Sequence, residues 1–572
     1  MRRTSIALLV WLLAATGAAA QTLVADAVMN RDAAALRALL QKKADVNAAQ
    51  VDGSTALHWA VYHDNGQAAD LLLAAGANVK AVTREGVTPL SMATLYGSVP
   101  MVERLLKAGA DAKELGPNGE TMLMFAARNG NPRLVQLFIA AGVDVNAAEK
   151  LRKTTALMWA AEQHHPEAVQ ALLKAGANPA LKSGGAGLPR NYMANRVNQQ
   201  SVKEAQERRK RAVAAGRTYE EQVIFERAAP LRPAFDQLPP DDDSEVVVAG
   251  LVGSGGGGLA ALHLAAREGD IESARALLDG GADVNQITEY GWTPLLTAIN
   301  NRNYALASLL MDRGADPNIA NKGGWTPLYI ATDNRNIEGG DYPVPKPDLD
   351  HLEIITKLLE KGADPNARVK EDTLTRTIFT MQWFFEDGAT AFARAAQSSD
   401  TALMKLLLKY NADPRLATRN GDTAITLAGG IGWVEGVTYE RSREENVEAL
   451  RMLLDLGLDP NTANSEGRTA LMGAALKGRN EAIQLLVDRG ARLDLHDHGS
   501  RDTDKIGSAA AGHTWQAIDY ADGLVRAGVQ GAIAYPETSA FIRKLMIERG
   551  LEVPPANRNI LSVCVVSLCQ GW

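Results

Sequence analysis

Apolar and polar positions along this chain alternate in one long rhythm. A phrase of Gly, any residue, Thr, Pro or Ala, Leu, two further residues and Ala opens each apolar run. About twenty residues later a second phrase closes it: Leu-Leu, two residues, Gly-Ala-Asp or Gly-Ala-Asn, then Val or Pro and often Asn. The first phrase reads Gly53-Ser54-Thr55-Ala56-Leu57-His58-Trp59-Ala60 and returns around Thr88, Thr121, Thr155, Thr293, Thr326, Thr390, Thr423 and Thr469. The threonine spacings are 33, 33 and 34 in the first group, and 33 again from Thr293 to Thr326 and from Thr390 to Thr423. Ala260-Ala261-Leu262-His263-Leu264-Ala265 lies 33 before Thr293 and puts alanine in the threonine slot.

Each period reads as a pair of helices. The threonine is placed as an N-cap, where its hydroxyl takes an orphan amide. Pro89, Pro294 and Pro327 fall on the first helical position, where a missing N–H costs nothing. A short alanine-rich helix follows, a Gly or Asn breaks it, and a second helix ends in Leu-Leu before a glycine suited to a left-handed cap. Asp-Val-Asn or Asp-Pro-Asn then leads into an extended turn toward the next threonine. One such pair has a single apolar stripe and cannot bury it alone; stacking at a fixed period buries it.

These phrases resemble the ankyrin repeat, whose signature is Thr-Pro-Leu-His-x-Ala-Ala; Thr55-Ala56-Leu57-His58 and Ala260-Ala261-Leu262-His263-Leu264-Ala265-Ala266 keep its histidine. The resemblance implies an all-α ankyrin-repeat solenoid of stacked helix–turn–helix units with projecting turns. It covers roughly three quarters of the mature chain, in about ten full repeats, a partial opening repeat at 23–50 and a degenerate closing one around Gln516-Ala517-Ile518-Asp519-Tyr520-Ala521. It also implies a structural hydrogen-bonding role for His58 and His263.

The period breaks in four places. Residues 184–257 are expected to form a flexible or charged insertion between an N-terminal stack, 21–183, and a C-terminal stack, 258–497; a closing repeat and tail fill 498–572. Pro230, Pro233, Pro239 and Pro240 preclude regular structure in part of that insertion. The basic run Arg208-Arg209-Lys210-Arg211 is balanced by neighbouring glutamates and reads as a solvated helix face. Insertions at 337–350 and 430–445 lengthen the loop between the two helices of one repeat. The third, 368–387, enlarges a turn between repeats and carries Phe379, Trp383, Phe384 and Phe385. Those aromatics either bury on the neighbouring stack or form part of a partner site.

Composition narrows the picture. The chain has 572 residues, 46% hydrophobic and 22% charged, which excludes a disordered chain. With only 5% aromatic residues the core must be built from Ala, Leu, Ile and Val. A net charge of −7 argues against nucleic acid as a partner. Two cysteines exclude a disulfide-stapled scaffold and a thiolate zinc finger. Met1-Arg2-Arg3, the apolar stretch Ile6–Ala15 and Ala18-Ala19-Ala20 before Gln21 have the layout of a secretory signal. Residues 1–20 are therefore expected to be a signal peptide too short to span a membrane, the mature chain to start at Gln21 without a membrane span, and the protein to be periplasmic or secreted; its resemblance to large exported bacterial ankyrin proteins implies a bacterial source. In that oxidising setting Cys564 and Cys569 are expected to close a small disulfide loop.

No nucleophile elbow, P-loop, H-E-x-x-H or haem-attachment motif occurs, so no catalytic residue, cofactor or metal is expected. One alternative stays open. His496-Asp497-His498, with Asp494, Asp502 and His513, has metal-ligand chemistry at a spacing that matches no motif, so a metal or enzymatic site in 490–515 competes with a polar loop.

The expected function is binding a protein partner, of unknown identity and stoichiometry, through the concave face and turn tips. A secreted effector or inhibitor of a host or rival protein is the alternative within the same class. By resemblance, the contact positions are the ends of the first helices and the turn tips: Tyr62, His63, Tyr96, Arg128, Glu162, Arg267, Asn300 and Asn334, with Tyr290, Trp292, Lys322 and Trp325, and Trp383 and Phe384 in the insertion. Trp292 and Trp325 share the same slot 33 residues apart; either they anchor a partner or each packs on the adjacent turn.

Overall fold

The computed structural model describes residues 23–185, 257–337, 345–370, 387–433, 438–439, 441–498, 514–526, 533–556 and 563–564, with Arg211, Ala215 and Gln222. The signal segment 1–20, Trp383, Phe384, Cys569 and most of the 184–257 insertion lie outside these residues, as does the side chain of Cys564, so the disulfide and the signal remain expectations.

The described residues form twelve helix pairs in two units. The first unit comprises 23–185 and 257–286, and the second begins at 287. In the first, the helices are α1 Leu23–Met29 and α2 Ala33–Gln41, α3 Ala56–Tyr62 and α4 Gly66–Ala74, α5 Pro89–Leu95 and α6 Val99–Lys107, α7 Met122–Asn129 and α8 Pro132–Ala140, α9 Ala156–Glu162 and α10 Pro166–Lys174, α11 Ala261–Glu268 and α12 Ile271–Asp279. In the second they are α13 Pro294–Asn300 and α14 Tyr304–Asp312, α15 Pro327–Asn336 and α16 His351–Glu360, α17 Ala391–Gln397 and α18 Thr401–Lys409, α19 Ala424–Gly429 and α20 Arg443–Asp455, α21 Ala470–Leu476 and α22 Asn480–Asp488, α23 Ala517–Ala521 and α24 Pro536–Glu548. The two-residue strands β1 Val525–Arg526 and β2 Val563–Cys564 pair in parallel near the end. The fold is thus an all-α repeat solenoid with one short strand pair.

Local chemistry sets each repeat. Thr121 caps α7 by accepting the Met124 amide at 3.2 Å, and Thr293 caps α13 through Leu296 at 3.1 Å. His58 fills the same role at α3 differently. Its Nδ1 accepts the Thr55 amide at 3.2 Å and its Nε2 faces the Val87 carbonyl at 3.1 Å, tying one repeat to the next; burial pushes its pKa down. His263 likewise accepts the Ala260 amide, so the role implied for both histidines is the one they have here.

The periodic asparagine is a clamp. The Asn146 amide nitrogen donates to the Gly176 carbonyl at 3.2 Å and its carbonyl accepts the Asn178 amide at 2.8 Å. Asn47, Asn318, Asn366 and Asn461 repeat this pair of bonds in both units. Tips also bond tip to tip, as in Lys150 N–H to the Asn118 carbonyl at 2.8 Å and Lys322 N–H to the Tyr290 carbonyl at 3.0 Å.

The repeat boundaries differ from expectation at one place. The repeat of α11 and α12, expected to open the C-terminal stack, packs on α9 and α10 in the first unit. Ser183 N–H bonds the Leu259 carbonyl at 2.8 Å and Gly257 N–H bonds the Gly184 carbonyl at 2.9 Å, so the 184–257 insertion leaves and re-enters at one point. Arg267 to Glu162 at 2.6 Å and Gln286 to the Ala180 carbonyl at 2.9 Å complete the continuity. The sequence separation across the insertion hides a spatial neighbour, because stacking needs only the next apolar stripe and not the next residue.

Candidate interaction surface

Within the first unit, the first helices of successive repeats pack more closely than the second helices do. The stack therefore curves with its first helices inside, and the position four after each capping residue falls on that inner face: Trp59, Met92, Phe125, Trp159 and Leu264. The first four are half-buried, whereas Leu264 is 4% exposed. Phe125 and Trp159 meet edge to face at 6.1 Å, as do Trp59 and Tyr62 at 5.6 Å and Tyr62 and Tyr96 at 6.0 Å. The indoles are held from behind. Trp159 Nε1 donates to Thr154 Oγ1 at 2.7 Å, and Trp59 Nε1 donates to Gln50 Oε1 at 2.6 Å.

The expected contact residues divide sharply. Tyr62 and Tyr96 are each 53% exposed, and Arg128 is exposed with its guanidinium 5.8 Å from the Trp159 ring centre. His63 sits beside them but is fastened to the first repeat through the Met29 carbonyl and Arg31. Glu162 and Arg267 are half-buried and paired with each other. In the second unit Tyr290, Trp292 and Asn300 are half-buried, and Lys322 is exposed with its ammonium 5.7 Å from the Tyr290 ring.

Two expectations fail here. Trp325 is fully buried, edge to face with Tyr329 at 4.9 Å, and its amide bonds Asn321 at 3.0 Å; it is a core residue and no anchor. Asn334 is 2% exposed and donates to the Ile299 carbonyl at 2.7 Å. Asn334 lies at the end of α15, where described residues after α15 and α19 meet as a cover: Ile337 bridges Thr438, and Tyr439 N–H bonds the Asn336 carbonyl at 3.1 Å. Trp325 precedes the start of the same helix and is enclosed there, against Tyr329.

Beneath that cover lies a charged network. Arg394, in the slot that Trp159 holds in the first unit, pairs with Asp333 at 2.9 Å with both side chains about fully buried. Its remaining donors reach Gln397, Ser398 and the Asn336 carbonyl. Asp400 is held by Arg335 at 2.7 Å and Arg441 at 3.0 Å. Every charge in this layer has a partner, as burial requires.

Described members of the metal alternative are engaged with protein partners. Asp497 accepts the Tyr520 hydroxyl at 2.6 Å and the Trp515 amide at 2.8 Å, Asp494 pairs with Arg492 at 2.9 Å, and His496 bonds Thr514 and Gln516. Among the described residues no group of three metal-ligating side chains converges; Asp502 and His513 lie outside them. Among the described residues no helix is long and apolar enough to cross a membrane.

Sequence reasoning missed the inner row itself, although its signal, a large side chain four residues after the threonine, is visible at Trp59, Phe125 and Trp159. It also missed Lys153. Two residues before the capping slot, nine of the ten phrases from Gly53 to Gly467 carry glycine, and there the turn needs a left-handed backbone. Lys153 alone takes that conformation with a side chain, at φ 53°, which costs about 1 kcal/mol.

Comparison with known proteins agrees with this geometry. Ankyrin-repeat profiles match residues 24–115, 90–183, 262–369 and 440–487. The chain is 26% identical over 200 residues to human SH3 and multiple ankyrin repeat domains protein 2, covering 27% of this chain but only 11% of that one. It is 29% identical over 110 residues to a putative ankyrin repeat protein of Acanthamoeba polyphaga mimivirus, covering 18% of this chain and 67% of the viral one. A Notch-regulated ankyrin repeat-containing protein B of Danio rerio is 30% identical over 86 residues, 15% of this chain and 78% of the fish protein. These relatives are eukaryotic and viral. With the capped helix pairs, the clamping asparagines and the tip-to-tip bonds, they place this chain in the ankyrin-repeat family.

Proposed function

We propose that the chain is an exported, non-enzymatic scaffold that holds a protein partner along the inner face of its first unit. The observation that carries the reading is the half-exposed row Trp59, Met92, Phe125 and Trp159, edged by the exposed rings of Tyr62 and Tyr96. A row of large apolar side chains, three of them aromatic, left half-open to water at one repeat position where Ile330, Arg394 and Leu427 of the second unit are buried, has the character of a binding surface. Export to a bacterial periplasm rests on the signal layout of residues 1–20.

Affinity capture from a periplasmic extract tests the site, with the full chain compared against Trp59→Ala/Phe125→Ala/Trp159→Ala. A partner held by the wild type and lost by a variant with unchanged circular dichroism is expected. A partner that the variant retains places the site elsewhere. Mass spectrometry of the periplasmic protein is expected to find Gln21 at the N-terminus; a cytoplasmic chain with residues 1–20 intact overturns export.

A further inference from the structure

The inner face of the first unit is graded in charge along its length. At the first turn Asp52 is exposed, at the second Arg84 and Glu85 offset each other, and at the third half-buried Glu120 is bonded by the backbone amide and side chain of Asn118. At the fourth turn Lys150, Arg152 and Lys153 are all exposed, and none has an ion-pair partner among the described residues. The one carboxylate of that turn cannot neutralise them. Glu149 is buried, and its oxygens accept the amides of Leu151, Arg152 and Thr154 and the Thr154 hydroxyl. Exposed Arg128 lies against the same end, over the Trp159 ring. The three cations thus share the turn whose Thr154 holds the Trp159 indole, and Arg128 lies over that ring, in a chain whose net charge is −7.

Lys153 is the second, independent sign. Glycine would satisfy the turn without strain, as it does in the other nine phrases, yet here a lysine is held left-handed at the tip. Non-glycine residues take left-handed backbone elsewhere too, as Lys43 and Asn411 do at the ends of second helices, but at this tip Lys153 alone does so, and it adds a third cation to the turn.

We infer that this end of the groove receives an acidic segment of the partner protein. One aromatic or aliphatic side chain seats on Phe125 and Trp159, and two or more carboxylates a few residues away meet Lys150, Arg152 and Lys153. The inference rests on the reading that the inner face binds a protein, and adds to it the chemistry of the partner. Opposite charge at the open rim steers and orients a segment more than it tightens it, and the aromatic floor supplies the anchor.

Selection from a library of displayed random peptides tests this on the full-length chain, on Lys150→Glu/Arg152→Glu/Lys153→Glu and on Trp59→Ala/Phe125→Ala/Trp159→Ala. The wild type is expected to select an aromatic or aliphatic residue followed by Asp or Glu. The charge-reversed variant is expected to select the same anchor followed by Lys or Arg, and to bind the wild-type peptides at least about tenfold more weakly. Peptides without acidic enrichment, or a selection that reversal leaves unchanged, overturn the acidic partner while leaving the groove standing. Selected peptides that bind the aromatic variant equally well overturn the groove itself. Binding of phosphatidylglycerol vesicles that reversal abolishes, with no acidic peptide selected, assigns the cations to a membrane and also overturns the proposal. Lys153→Gly separates function from structure: a higher Tm with weaker binding of the selected peptide is expected, and a higher Tm with unchanged binding removes Lys153 from the site.

Discussion

The two units are built on one spine and finished in opposite ways. The position four after the capping residue holds Trp59, Phe125 and Trp159 in the first unit and Arg394 in the second. Seven after it stand exposed Tyr62 and Arg128 in the first, against Asp333 at 1% and Gln397 at 2% exposure in the second. The difference comes from the loops between paired helices. In the first unit these are a few residues long and leave the helix ends open. After α15 and α19 they are longer, Ile337 bridges Thr438, and the helix ends there hold the buried, paired polar side chains Asp333, Arg394 and Gln397. A repeat position therefore has no fixed role; what covers it decides whether it binds or holds the fold.

The sharpest way to break this comparison is to uncouple the buried pair. Arg394→Ala leaves Asp333 without its countercharge in a dry site, and the second unit is expected to lose about 3–5 kcal/mol. Hydrogen exchange at the amides of α15 and α17 reads the loss, and Asp333→Leu/Arg394→Met is expected to recover most of it. An Arg394→Ala change that leaves these amides as protected as before ends the view of this layer as structural.

Buried and half-exposed indoles come next. Trp325→Ala is expected to cost about 3–5 kcal/mol. Trp159→Ala, at a half-exposed place, is expected to cost about 1–2 kcal/mol while removing most of the partner's affinity. Equal losses of stability from the two, measured by urea unfolding, contradict the division between core and surface.

Smaller changes test what the units share. Asn146→Ala in the first and Asn366→Ala in the second each delete two inter-repeat hydrogen bonds, and each is expected to cost about 1–2 kcal/mol. Markedly unequal costs in denaturant unfolding show that the common spine is not common in energy.

The remaining effect is in pH. His351 is pushed down from its ordinary value near 6.5 to about 4, first by burial and then by Arg302, Arg335 and Arg441; Asp350 opposes the shift, and the Tyr304 hydroxyl bonds its Nδ1 at 2.9 Å. Between these values the unfolded chain binds a proton that the folded one refuses. Stability of the second unit is therefore expected to fall as pH drops from about 6.5 toward 4. His58 in the first unit is shifted in the same sense, so the effect is read locally, as faster exchange of the α16 amides that His351→Gln abolishes.

Much of the fold was legible because the repeat is written in local rules. Threonine caps, prolines at the first helical position and left-handed glycines each act within a few residues, so their spacing located nearly every helix pair. The site was legible only in part. Tyr62, Tyr96 and Arg128 are exposed at the ends of their first helices. Trp325 and Asn334 are not, since Trp325 packs on Tyr329 at the start of α15 and Asn334 bonds the preceding repeat at Ile299. Lys153 is visible in the sequence only as the one departure from glycine at its slot of the phrase.

Trp292 and Trp325 draw the line between the two kinds of information. Both sit in Gly-Trp-Thr-Pro-Leu, and the sequence by itself determined that each precedes a capped helix at the same point of a stacked repeat. It could do so because caps and turns are decided by neighbours along the chain. Only the tertiary structure decided that one is half-buried and the other wholly enclosed, that the α11–α12 repeat joins the first unit, and that an aromatic row stays open to solvent. Exposure depends on which distant segments find room to pack, and no local rule carries that.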